Sequence, residues 1–177
     1  MEENNTIERW ISTAPNTLDI NWQELEKALG FPLHNNFKDF YSRIIANEEI
    51  EGRMTFDPSK FVKEYVSAEE GWLDEANGGR KQCEFTLIPI KETGSDHLLK
   101  FVNEAFFGEW TGGNNFGHRA YIGELFLNIG QLSLVFNNNT GAFEWVDFEY
   151  GYFEVYEENP YGIVAHSAQE FLDKFKA

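Results

Sequence analysis

Apolar side chains along this chain repeat mainly at two periods, three to four residues in its first half and two residues in its second. In the first half Trp22, Leu25 and Leu29 recur at helical spacing behind Asn21 and Glu24, a pairing that resembles a capping box, and Gly30 closes the segment. After the break at Phe31-Pro32, the stripe Phe37, Phe40, Tyr41, Ile44 and Ile45 predicts a second amphipathic helix. Asp57-Pro58 reads as a cap with proline at the first helical position, ahead of Phe61, Val62, Tyr65 and Val66. Leu98, Leu99, Val102 and Phe106 predict a helix over Ser95 to Phe107, and a short one over Thr6 to Ser12 would dock through Trp10. The chain closes on Ser167 to Glu170, a capping box before Phe171, Leu172 and Phe175.

The two-residue period takes over from Tyr121. Tyr121 to Leu127, Leu132 to Asn137 and Ala142 to Phe148 are rich in β-branched and aromatic residues. The breaks at Asn128 to Gln131 and Asn137 to Gly141 carry the Asn and Gly that tight hairpins need, so the three strands form an antiparallel meander. Glu84 to Ile90 reads as an earlier strand ending at Pro89. After the meander, Tyr152 to Tyr156 reads as a fourth strand, with Phe153 and Val155 inward and Tyr152, Glu154 and Tyr156 outward, and Asn159 to Gly162 as a turn. Helices first, then a sheet, then a closing helix is an α+β order: an antiparallel meander packed by N-terminal helices and a C-terminal helix. At 177 residues one domain is expected over 1–177, with 1–18 as an N-terminal extension.

Charge narrows the function. Thirty acidic residues against fourteen basic ones give a net charge of −16, a surface that repels phosphate backbones and anionic membranes and attracts a basic partner. Cys83 is alone and so forms no internal disulfide and no CxxC metal or redox site. No run of about eighteen apolar residues exists to span a bilayer. The opening Met1-Glu2-Glu3-Asn4-Asn5 lacks the positive charge and apolar stretch of a signal peptide, so a cytoplasmic address is expected.

Candidate chemistry is sparse. His34, His97, His118 and His166 stand at no metal-ligand spacing, and neither a metal nor another cofactor is expected. Ser95-Asp96-His97 spells a triad in letters, but neighbours in sequence rarely converge as nucleophile, base and orienter. The Gly112 to Asn115 loop lacks the Lys-Ser or Lys-Thr of a phosphate cradle, and Asn137 to Gly141 lacks the carboxylates of a calcium loop. No catalytic residue is assigned, although thirty acids leave a hydrolase with a carboxylate pair conceivable.

One asymmetry stands out. From Ala120 to Asp173 there are nine acidic residues and no Lys or Arg. Within that stretch Glu144, Trp145, Asp147, Glu149, Tyr152, Glu154, Tyr156, Glu157 and Glu158 interleave acid with aromatic, the composition of a face that steers and anchors a basic protein. A solvated sheet face with inward aromatics is the competing reading. A carbohydrate- or peptide-binding module is the functional alternative, suggested by Trp110, Asn114, Asn115 and the many aromatic residues.

The arrangement resembles the SUKH superfamily of yeast cell-wall-assembly regulators and bacterial toxin-immunity proteins. Leu25 to Pro32 followed by Phe37 to Tyr41 is similar to that family's opening helix, Leu-Gly break and second helix. Phe85 to Ile90 is similar to its first core strand, Tyr121 to Glu124 through Thr140-Gly141 to Trp145-Val146-Asp147 to its meander, and His166 to Phe175 to its terminal helix. The resemblance implies an α+β domain without catalytic residues, acting as an immunity protein that binds and blocks a cognate basic toxin domain, often a nuclease.

Overall fold

The computed structural model describes residues 20–44, 49–55, 82–113, 116–127, 130–146 and 161–174. Among these residues four helices, α1 (Trp22–Leu29), α2 (Asn35–Arg43), α3 (Ser95–Phe107) and α4 (Ala168–Asp173), accompany six strands. The strands are β1 (Ile50–Thr55), β2 (Gln82–Leu87), β3 (Arg119–Leu127), β4 (Gly130–Asn137), β5 (Ala142–Val146) and β6 (Tyr161–Ala165). They lie side by side in chain order, every neighbouring pair antiparallel, so the expected three-strand meander is the centre of a six-strand one. This is an α+β fold.

The two ends of α1 and the start of the C-terminal helix α4 follow their sequence signals. Asn21 Oδ1 accepts from the Glu24 amide at 3.3 Å, and Gly30, in the left-handed region at φ 82°, donates its amide to Glu26 O. Ser167 Oγ accepts from the Glu170 amide, while the Glu170 carboxylate accepts from the His166 amide at 2.9 Å. That closes the reciprocal cap one residue before the Ser167 amide. The N-cap of α2 is His34, whose Nδ1 accepts from the Asn36 amide at 3.1 Å, a task more often done by Ser, Asp or Asn. The helix over Ser95 to Phe107 has the predicted bounds.

All this places these four helices on one face of the sheet. Phe37, Phe40 and Tyr41 from α2, Val102 and Phe106 from α3 and Phe171 from α4 are buried against Phe85, Leu87, Leu125, Leu134, Phe136, Phe143 and Trp145. Phe143 stacks on Phe171 with ring centroids 4.4 Å apart, and Phe37 meets Tyr41, Phe106 and Phe136 at 4.7 to 5.6 Å. In the middle of this cluster the Tyr41 hydroxyl is buried without a hydrogen-bond partner among the described residues, and burial pushes its phenol well above the usual range.

Two strands differ from the sequence reading. β1 was not among the predicted elements: Gly52 and the charged Glu51 and Arg53 conceal a strand whose inward Ile50 pairs opposite Leu87. β6 begins at Tyr161, inside the stretch read as a turn. There Gly162 lies directly opposite the buried Trp145. The helices expected at Thr6 to Ser12 and after Asp57-Pro58, and the strand at Tyr152 to Tyr156, lie outside the described residues. Among the described residues no helix is long and apolar enough to cross a membrane.

Candidate functional site: the outer face of the sheet

With the four described helices on one face, strand alternation sends every second residue to the other. Two transverse rows cross that outer face. One runs Glu51, Thr86, Glu124, Ser133 and Val146 across β1 to β5, and the next runs Arg53, Glu84, Phe126 and Gln131 across β1 to β4. Directly opposite residues in such rows have Cβ atoms about 5 Å apart, so each side chain meets its row neighbours. A bulge at Ile122 in β3 shifts the register between Tyr121 and Gly123. Gly123 sits where β2 approaches so closely that a methyl group would run into the Thr86 carbonyl.

At the β3–β5 end this face is closed. Arg119 Nε donates to Glu144 Oε2 at 2.8 Å, and Asn137 Nδ2 donates to Glu144 Oε1 at 2.9 Å. Arg119 also donates through Nη1 to Phe116 O, while Asn137 Oδ1 accepts from the amides of Asn139 and Thr140 in the hairpin turn. Glu144 is 4% exposed and Val135 and Val146 are fully buried beside it. A carboxylate this dry is stable only because a guanidinium and an amide satisfy both oxygens.

The β1–β3 end is open. Glu51, Arg53 and Glu84 are exposed, Thr86 is half-buried, and Phe126 stands 36% exposed on a face otherwise polar. Together with the strands beneath them they line a groove of about 460 Å³. Its margin is acidic: Glu124 Oε1 accepts from Tyr121 Oη at 2.7 Å and from Gln131 Nε2 at 3.4 Å. Burial, reinforced by the bond to Glu124 and by the nearby charges of Glu124 and Glu49, holds the Tyr121 phenol far above its usual pKa.

The Asn137 to Gly141 turn is structural, as its letters suggested. Asn138 Oδ1 accepts from the His34 amide and its Nδ2 donates to Pro32 O, both at 2.8 Å; Asn139 Nδ2 donates to Gly117 O. Asn36 Nδ2 donates to both Gly141 O and His166 O. Gly141, at φ 74°, lies against the His34 ring, where any Cβ would collide. The turn thus ties the α1–α2 loop, the start of β3 and the start of α4 together.

Other candidates fall apart or into structure. Ser95 Oγ turns to Glu24, whereas His97 pairs with Glu92, so the three letters do not converge. Among the described residues no group of three or more His, Cys, Asp or Glu side chains gathers as a metal site. His118, with φ 57°, stacks on Phe31 at 4.1 Å. Trp110, offered as a ligand platform, stacks on Phe116 and donates its indole N–H to Ala105 O at 2.8 Å; Asn114 and Asn115 lie outside the described residues.

Of the predicted partner-binding residues, Glu144 and Trp145 are corrected. Trp145 is 0% exposed in the core and Glu144 is paired with Arg119, so neither stands on a surface a partner could touch. Both belong to a strand buried on both faces. Asp147, Glu149, Tyr152, Glu154, Tyr156, Glu157 and Glu158 lie outside the described residues. The groove residues Glu51, Glu84, Thr86 and Phe126 were missed. The available signal was Phe126, an aromatic at an outward position between inward Leu125 and the hairpin, with Glu84 and Thr86 in the same phase of β2. Comparison with protein-family models, with curated proteins and with solved structures returned no match.

Proposed function

We propose that this chain is a binding protein that neutralises a basic protein partner by stoichiometric association, an immunity protein for a toxin domain of the nuclease kind. The observation that carries the reading is the charge of −16 combined with an outer sheet face whose β1–β3 half leaves Glu51 and Glu84 exposed beside an exposed Phe126. Carboxylates spread over a face steer a cationic protein to it, and an aromatic side chain anchors the encounter once water is expelled. Nuclease grooves are basic because they hold phosphates, so an acidic face is complementary to them. The resemblance of the sequence to the SUKH superfamily supports the same reading, with the encounter proposed inside the producing cell.

The test is to mix the protein with the toxin domain encoded beside it and to measure affinity and association rate at low and high salt. A one-to-one complex that inhibits the toxin, with an association rate falling steeply as salt rises, is the expected result. Absence of a complex rejects the function. A tight complex indifferent to salt and to charge reversal at Glu154, Glu157 and Glu158 rejects the electrostatic mechanism.

A further inference from the structure

Resting on that reading of a basic protein partner, we infer that the outer-face groove over Thr86 is the seat of a single arginine side chain from the partner, stacked on Phe126 and held by Glu84 and Glu51. Four observations converge on this occupant. Thr86 is the smallest side chain in its stretch of the row, flanked on β1 and β3 by Glu51 and Glu124, so the face dips there. The resulting groove, about 460 Å³, exceeds what one side chain fills and leaves room for the backbone that delivers it. Phe126 borders it and is 36% exposed although its neighbour Leu125 is fully buried, so its ring is presented to the groove side of the sheet. Glu84 stands directly opposite Phe126, the spacing at which a planar cation can lie on the ring and bond the carboxylate edge-on.

Charge decides the chemistry of the occupant. Glu51 and Glu84 outnumber Arg53 within the groove, Glu124 adds a further carboxylate at its margin, and the whole molecule carries −16. An anionic ligand is repelled, and an apolar one would strand those carboxylates away from water. Arginine fits better than lysine because its guanidinium is planar, stacks on an aromatic face and bonds carboxylates in a fork, whereas an ammonium is a strongly hydrated point charge. Arg53, on β1 directly opposite Glu84, limits entry to one cation and fixes the side from which it comes.

The probe is a short capped peptide, acetyl-Gly-Arg-Gly-amide, titrated into the whole protein and followed through backbone amide NMR signals, with the neutral citrulline peptide as control. Expected are saturable shifts of amides in 51–53, 84–86 and 126 with the arginine peptide and none with citrulline. Phe126→Ala and Glu84→Gln should each weaken binding about tenfold. Thr86→Arg, which fills the seat with the protein's own guanidinium, should abolish it while leaving the remaining spectrum folded. Shifts scattered over other acidic surface, unchanged by Phe126→Ala and Thr86→Arg, overturn the groove but leave a basic partner in place. No saturable shift at any peptide concentration overturns it as well. If the peptide binds the groove as expected and the neighbouring toxin domain forms no complex, the arginine seat stands and the immunity reading falls.

Discussion

The two halves of the outer sheet face belong to one sheet and share β3, yet they use carboxylates in opposite ways. In the β3–β5 half, Glu144 is enclosed with Arg119 and Asn137 between buried Val135 and Val146. In the β1–β3 half, Glu51 and Glu84 stand in water around a groove. A carboxylate in the first half holds the fold together; a carboxylate in the second adds to a field that reaches outward. At physiological salt that field decays over about 8 Å, far enough to guide a partner to contact. Acid content read along the chain cannot distinguish the two uses, because the distinction is one of hydration.

This contrast can be broken by mutation. Trp145→Ala, on the inner face behind the closed half, sets the scale: urea unfolding should show a loss of about 3–5 kcal/mol, the cost of emptying a fully buried indole site. Glu144→Ala should cost about 3 kcal/mol, because it takes the carboxylate from an Arg119 side chain only 17% exposed and removes the acceptor of Asn137 Nδ2. Glu144→Gln should cost less, since its carbonyl oxygen can still accept from one of the two donors. If Glu144→Ala were tolerated at a level near 0.5 kcal/mol, the closed half would be as wet as the open one.

A pH series probes the border between the halves. Folding favours the neutral Tyr121 and Tyr41 phenols, so both hold their protons where the unfolded chain releases them, near pH 10. Stability from these two groups is complete below that pH and declines as pH rises beyond it. Denaturant midpoints between pH 8 and pH 11 should therefore fall at the alkaline end, and Tyr121→Phe should flatten the fall. The smallest effect belongs to the open half: Glu51→Gln and Glu84→Gln should each change stability by no more than about 0.5 kcal/mol. A loss comparable with that of Glu144→Ala would show that the groove carboxylates are structural.

How much of this was legible in the letters depended on how local its cause was. The α1 cap at Asn21, its stop at Gly30, the span of α3 and the Ser167 cap are decided within a few residues by side chains bonding nearby backbone, and each stands where its signal placed it. The central strands and the Asn137 to Gly141 turn carry the alternation and the asparagines that specify a hairpin. β1 was hidden because, in a short edge strand, Gly52 between two charges breaks the apolar phase that Ile50 and Met54 share. Glu144 and Trp145 were misplaced for a related reason: alternation says that they point to opposite faces, but not that both faces are buried there.

The sequence by itself determined the α+β order, the antiparallel pairing of its central strands, the helix ends and the sign of the molecule's field, because each follows from neighbours in the chain or from composition. Only the tertiary structure decided which carboxylates are dry and which are wet. Arg119 reaches Glu144 across twenty-five residues, and Glu51, Glu84 and Phe126 meet across seventy-five. Those distances in sequence are closed by strand register, and a pairing energy that depends on who lies opposite whom has no counterpart in any local window of the chain.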